Sequence, residues 1–232
     1  MEIRVGVAKT PKFGQGESGD TVEVVERPHG GLSVLVADGQ GHGRSAKGIS
    51  RLVVSRAMAL IAEGARDGAV ARAVHDFLFA ARDGKVSATL VIVSADLRSK
   101  TVVISRNGEP SVLAVVPRAG EGSEIMAISE DAAPIGVHAR MKPAIAELPL
   151  VPGLIVAAFT DGALTVSRDR LVEILAAARP EEADATASRL LDEALQADGG
   201  RPRDDMSVAV LTVGPGSEGT TPIRTMALSF PV

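Results

Sequence analysis

Residues 20–43 read DTVEVVERPHGGLSVLVADGQGHG, and this stretch decides the fold class. Its first seven residues alternate, with Val22, Val24 and Glu26 on one side and Thr21, Glu23 and Val25 on the other. A Pro/Gly turn, RPHGG, separates them from the apolar run LSVLVA, which predicts an antiparallel hairpin. After the glycine-rich DGQGHG the period becomes helical: Ile49, Leu52, Val53, Ala57, Leu60 and Ile61 form one stripe that ends near Gly64. The hairpin also disposes of a competing interpretation. Gly41 to Ala46 fits G-x-G-x-x-A, the dinucleotide-binding fingerprint, but that motif needs a parallel strand before it. The acid expected about 20 residues on should end a second strand, whereas Glu63 falls in the helix. No organic cofactor site is assigned.

Working outward, IRVGVA reads as a strand before the hairpin. A second helix is predicted over 67–82, with Asp67 as N-cap and Val70, Val74, Phe77 and Ala81 in register. Short β-branched runs follow: ATLVIVSAD, TVVISR, PSVLAVV, EIMAI, AIAEL and LIVAAFT. Helices are predicted over 168–178 and 181–197, with Pro180 at an N1-like start and Gly199-Gly200 as the stop. MSVAVLTV closes the core. Strands in a block, two helices, more strands, two helices and a last strand are not the alternation of a parallel doubly wound sheet. The order predicts an α+β fold of antiparallel sheets covered by helices. Residues 1–213 are read as one domain and 214–232 as a linker and C-terminal tail. Ile223, Met226, Leu228 and Phe230 of that tail would complete a sheet edge or meet a second copy.

The 232 residues are 45% hydrophobic and 23% charged, ordinary for a soluble globular protein with a continuous core. Aromatic content is 2%, with no Trp or Tyr, which argues against base-stacking platforms for nucleic acid. The net charge of −4 gives no basic footprint for a phosphate backbone. Absence of cysteine removes disulfides, thiolate metal sites and cysteine nucleophiles. The first residues, MEIRVGVAKT, lack an apolar leader core, and no run approaches a membrane span. A cytoplasmic protein without membrane or nucleic-acid partners is expected.

Three aspartates end apolar runs: Asp38 after LSVLVA, Asp161 after LIVAAFT and Asp204 before MSVAVL. A carboxylate at a strand mouth packs poorly and holds a hard cation well. Glycine follows Asp38 and Asp161 at once, allowing a sharp turn and a carbonyl, that of Gly39, near an ion. Asp20 precedes the strand paired with LSVLVA, so the hairpin brings it toward Asp38. Any one Asp-Gly is commonly just a turn; the conjunction is what points to metal. Of the histidines, His42 alone has a promising setting, while His29, His75 and His138 read as surface residues. Ser45 fits no nucleophile elbow.

The segments SGD, VLVADGQGHGRSAK, ATLVIVSAD, RNGEP, APIG, FTDGALTV and RDDMSVAVL occur in the order of metal-dependent type 2C (PPM) serine/threonine phosphatases. Across residues 5–213 the chain most resembles the SpoIIE-like branch, including its short RsbX-type members of stress signalling, which lack sensor domains. The resemblance implies a four-layer α-β-β-α sandwich of two antiparallel sheets flanked by helices, with two divalent cations, manganese or magnesium. It implies that Asp38 bridges both ions, with Asp20 and the Gly39 carbonyl on one side and Asp161 and Asp204 on the other. Asp205 would support them from behind. Water activated by the ions would attack phosphorus directly. The eukaryotic members carry histidine where this chain has Gln40, so two candidates stand for protonating the leaving group: His42 and a metal-bound water. Arg44 is the nearest candidate for a phosphate clamp, against an ordinary surface charge. The function implied is hydrolysis of phosphoserine or phosphothreonine on signalling proteins, with STAS-type stress regulators as the suggested partners. The rivals are a non-catalytic phosphoprotein-binding module of the same fold and a metal-dependent phosphohydrolase of small metabolites.

Overall fold

The hairpin forms as the alternation requires. In a computed structural model describing residues 1–109, 112–118, 120, 122–216 and 224–227, β1 spans Glu2–Thr10, and β2 (Thr21–Glu26) pairs antiparallel with β3 (Gly31–Ala37). Thr21 faces Ala37 across the pair, so Asp20 and Asp38 emerge side by side at one end. Helices α1 (Gly43–Ala62) and α2 (Asp67–Ala81) follow. The chain then runs through β4 (Leu90–Asp96), β5 (Thr101–Asn107), β6 (Val112–Pro117), β7 (Ser123–Ile128) and β8 (Ala144–Pro149). Next come β9 (Ile155–Phe159), a 3₁₀ turn at Asp161–Thr165, α3 (Arg168–Ala176), α4 (Ala183–Ala197) and β10 (Met206–Gly214).

These strands make two antiparallel five-stranded sheets, ordered β1-β10-β9-β6-β7 and β2-β3-β4-β5-β8. Their facing sides bury Val34, Val36, Val91 and Val93 of one sheet against Val156, Ala158, Ala209 and Leu211 of the other. The alternate residues of the same strands point outward under helices: Leu35, Leu90 and Ile92 beneath α1 and α2, and Ile155, Phe159 and Val208 beneath α3 and α4. Along most of β3, β4, β9 and β10 both faces are buried, which is why LSVLVA and MSVAVLTV are apolar almost throughout rather than alternating. The architecture is the four-layer α-β-β-α sandwich. Among the described residues, no helix is long and apolar enough to cross a membrane.

Several local expectations need correction. Asp67 is the first residue of α2 rather than its cap; its buried carboxylate accepts from Arg27 at 3.1 Å and from the Ser94 hydroxyl at 2.5 Å. The buried stripe of α2 runs through Val70, Ala71, Val74, His75 and Leu78, leaving Phe77 and Ala81 outside. His75 is buried, not on the surface, and its Nδ1 accepts the Gly136 N–H at 3.1 Å. Pro180 lies in the turn before α4, with its carbonyl accepting from Thr212 Oγ1 at 2.6 Å. In the tail, Arg224 pairs with Glu26 and Met226 is exposed; Ile223, Leu228 and Phe230 lie outside the described residues.

Candidate metal centre at the seam of the two sheets

Asp20 and Asp38 leave one sheet at the start of β2 and the end of β3. From the other sheet, Thr160 follows β9 and donates its N–H to the Ser207 carbonyl, which places Asp161 beside the start of β10 and hence near Asp204. Glycine permits this approach: a Cβ on Gly162 would lie 2.2 Å from the Asp205 carbonyl oxygen. The structure thus brings Asp20, Asp38, Asp161 and Asp204 to one end of the sandwich. Asp38 registers all three others, because burial and the charges of Asp20, Asp161 and Asp204 push its carboxyl up to about 8. Burial, opposed by the Gly162 N–H at 2.7 Å, raises Asp161 as well, with Asp204 and Glu109 adding to the rise.

Asp20 is fully buried. Its Oδ2 accepts from Thr160 Oγ1 at 2.8 Å and from Ser207 Oγ at 2.7 Å, hydroxyls that both come from the opposite sheet. Burial raises its carboxyl to about 6, with those two hydroxyls pulling the other way. Its other oxygen, Oδ1, is buried without a hydrogen-bond partner. The neighbouring Asp38 can supply a donor only by keeping a proton, since two ionised carboxylates are both acceptors. Crowded, desolvated hard oxygens with one orphaned atom fit a divalent cation in kind. Among the described residues, however, no three His, Asp or Glu side chains are already drawn into a closed cage. The acids are neighbours at one end of the sandwich without being closed into a cage.

Gly39 sits in an isolated bridge with Ala88, flanked by hydrogen bonds from Thr89 N–H to the Asp38 carbonyl and from Gln40 N–H to the Ser87 carbonyl. Those flanking bonds make Gly39 and Ala88 the non-hydrogen-bonded pair, so the Gly39 carbonyl points away from Ala88, toward the side where Asp20 lies. A Cβ at 39 would meet the Ala46 carbonyl at 2.2 Å, which requires glycine there. The Gln40 side chain is turned away to accept from the Ser87 N–H at 2.9 Å.

Asp205 is buried and accepts from Lys12 N–H at 2.9 Å and Gly19 N–H at 2.8 Å. It therefore ties the segment before Asp20 to the segment bearing Asp204. His42 is the exposed N-cap residue of α1 and makes no side-chain capping bond. Arg44, also exposed, lines a hollow with Gln15, Gly16, Glu17 and Gly43. The sequence reading missed Thr160, Ser207, Lys9 and Lys47. Both lysines donate to the main-chain carbonyl of Asp20, at 2.9 and 2.6 Å. Burial and the adjacent Lys9 ammonium hold Lys47 down to about 8. The only signal available was that both hydroxyls fall within the acid-bearing segments FTDG and DDMS.

Residues 28–214 match the family model described as Stage II sporulation protein E (SpoIIE). No curated protein sequence matches the chain significantly. Among solved structures, the PP2C phosphatase domain of SpoIIE from Bacillus subtilis, with a fragment of its regulatory domain, superposes with a TM-score of 0.76 at 18% identity, covering 92% of this chain and 64% of that one. The S. agalactiae serine/threonine phosphatase gives 0.74 at 14% identity, covering 91% and 100%. A structure reported with the bacterial stressosome gives 0.68 at 18% identity, covering 91% and 100%. With the family match running from the β2–β3 turn through the last strand, the chain belongs to the SpoIIE family and has the type 2C serine/threonine phosphatase fold.

Proposed function

We propose that this chain is a metal-dependent phosphoprotein phosphatase acting on phosphoserine or phosphothreonine, with manganese or magnesium held by Asp20, Asp38, the Gly39 carbonyl, Asp161 and Asp204. The observation that carries this reading is the convergence of Asp20, Asp161 and Asp204 on Asp38 from both sheets. When bound, two such ions lower the pKa of water to supply a nucleophile and neutralise charge on a phosphoryl group. The chain's own residues provide the frame. Thr160 and Ser207 fix one oxygen of Asp20 and leave the other buried without a partner. Asp205 fastens the flanking loops, and the strand ends hold each acid on a rigid element. No cysteine exists to serve as a nucleophile, and Ser45 is exposed on α1 outside any elbow. His42 and water remain the two candidates for protonating the leaving oxygen.

Stress-pathway phosphoproteins, including STAS-type regulators, are the proposed substrates. The fold shared with the structure reported with the stressosome supports this choice. Asp38→Ala is expected to abolish manganese-dependent phosphate release from a phosphoseryl peptide while circular dichroism stays native. Turnover at the wild-type rate in that variant overturns the assignment.

A further inference from the structure

Helix α1 grips the strand that presents Asp20. Lys47 and Ser50 are three residues apart and so share a face of the helix. Lys47 Nζ donates to the Asp20 carbonyl at 2.6 Å and to Thr21 Oγ1 at 3.1 Å. Ser50, buried, donates to the Gly19 carbonyl and lies 2.7 Å from the same Thr21 hydroxyl. Ala46, one residue before Lys47, packs so closely that a Cβ on Gly19 would come 2.7 Å from its own Cβ. From β1 in the other sheet, Lys9 Nζ reaches the Asp20 carbonyl at 2.9 Å. One main-chain oxygen, belonging to a candidate metal ligand, is thus claimed by two ammonium groups from two different layers.

From this geometry we infer that Lys47 is a positioning residue for metal binding: its ammonium pins the Asp20 backbone to α1 and so aims the Asp20 carboxylate. The inference rests on the proposed metal site and adds a residue to its machinery. Lys47 is half-buried and touches the main chain of Asp20, so it acts through Asp20 rather than on substrate. An ammonium on a carbonyl is a charge-assisted bond, the stronger kind. Its loss leaves the Asp20 carbonyl to Lys9 alone and unties residue 20 from α1, while Ser50 still holds Gly19 and Thr21 and the Thr160 and Ser207 hydroxyls keep their hold on the carboxylate. Asp20 then remains in the site but with poorer aim.

The test is calorimetric titration of the full chain with manganese. Lys47→Met keeps the apolar stem and removes the donor; a native thermal melt in chelator confirms its fold. We expect manganese affinity about tenfold weaker than wild type, matching the loss of one charged hydrogen bond. Because the chain has no cysteine, Lys47→Cys creates a unique thiol. Alkylation with 2-bromoethylamine rebuilds an ammonium at nearly the original length and restores affinity to within about twofold; alkylation with 1-bromopropane, of similar length but neutral, does not. Wild-type affinity in Lys47→Met, or equal rescue by the neutral group, overturns the inference while leaving the metal site standing. A wild-type chain that takes up no manganese overturns both.

Discussion

Replacing Asp38 with asparagine makes the metal-free protein more stable, and the gain depends on pH. The Asp38 carboxyl goes from an ordinary value of 3.8 in the unfolded chain to about 8 in the folded one. Between those values the folded state keeps a proton that the unfolded state has released, so stability falls as pH rises. At pH 7 about three units of that interval have been crossed, a ceiling of about 4 kcal/mol at roughly 1.4 kcal/mol per unit. Water reaches a carboxyl that is only partly buried, which reduces the expected loss to about 2 kcal/mol. Asparagine cannot ionise, and its amide can donate to the buried Asp20 Oδ1 that has no partner. Urea unfolding with excess chelator is the assay. Asp38→Asn exceeds wild type by about 2 kcal/mol at pH 7, and the difference shrinks toward zero below about pH 3, where both states hold the proton. With manganese present the order reverses, because only wild type gains from binding. Equal stabilities at pH 7, or a difference that does not move with pH, refute the reasoning.

Two further outcomes follow from other contacts. Ser207→Ala removes a hydroxyl that lowers the Asp20 carboxyl, so the acid limb of manganese binding moves to higher pH and affinity at pH 7 drops about tenfold, read by calorimetry. Asp67→Ala leaves the Arg27 guanidinium, 10% exposed, without its carboxylate and costs about 3 kcal/mol in a urea midpoint series. Arg27 and Asp67 lie by the β2–β3 turn, at the opposite end of the hairpin from Asp20, so manganese affinity in that second variant stays at the wild-type value.

The sequence made the layers legible because the two periods differ so sharply. Residues 20–26 alternate, a Pro/Gly turn follows, and the apolar run 32–37 pairs back, so the hairpin sets Asp20 beside Asp38 in the folded chain. What sequence could not show was the identity of partners far along the chain. His75 reads as a surface residue on a helix, yet Gly136, 61 residues on, offers its N–H. Asp67 has the residue type and position of a cap, but Arg27 and Ser94 capture its carboxylate from the sheet below. Pro180 fits a helix start; the Thr212 hydroxyl on its carbonyl holds it in the preceding turn instead. At the site, acids announce themselves at strand ends, whereas Thr160 and Ser207 look like ordinary β-formers until the second sheet is folded over Asp20.

The carboxylate of Asp20 is rooted in one half of the sandwich and fastened by hydroxyls of the other. It therefore works as a rivet through both halves: one oxygen fastens the fold, and the other is the one left for the cation of the proposed site. A cation held there would tie the two halves together. Given the proposed site, heat tolerance is expected to rise with manganese concentration in the logarithmic way that any native-state ligand imposes.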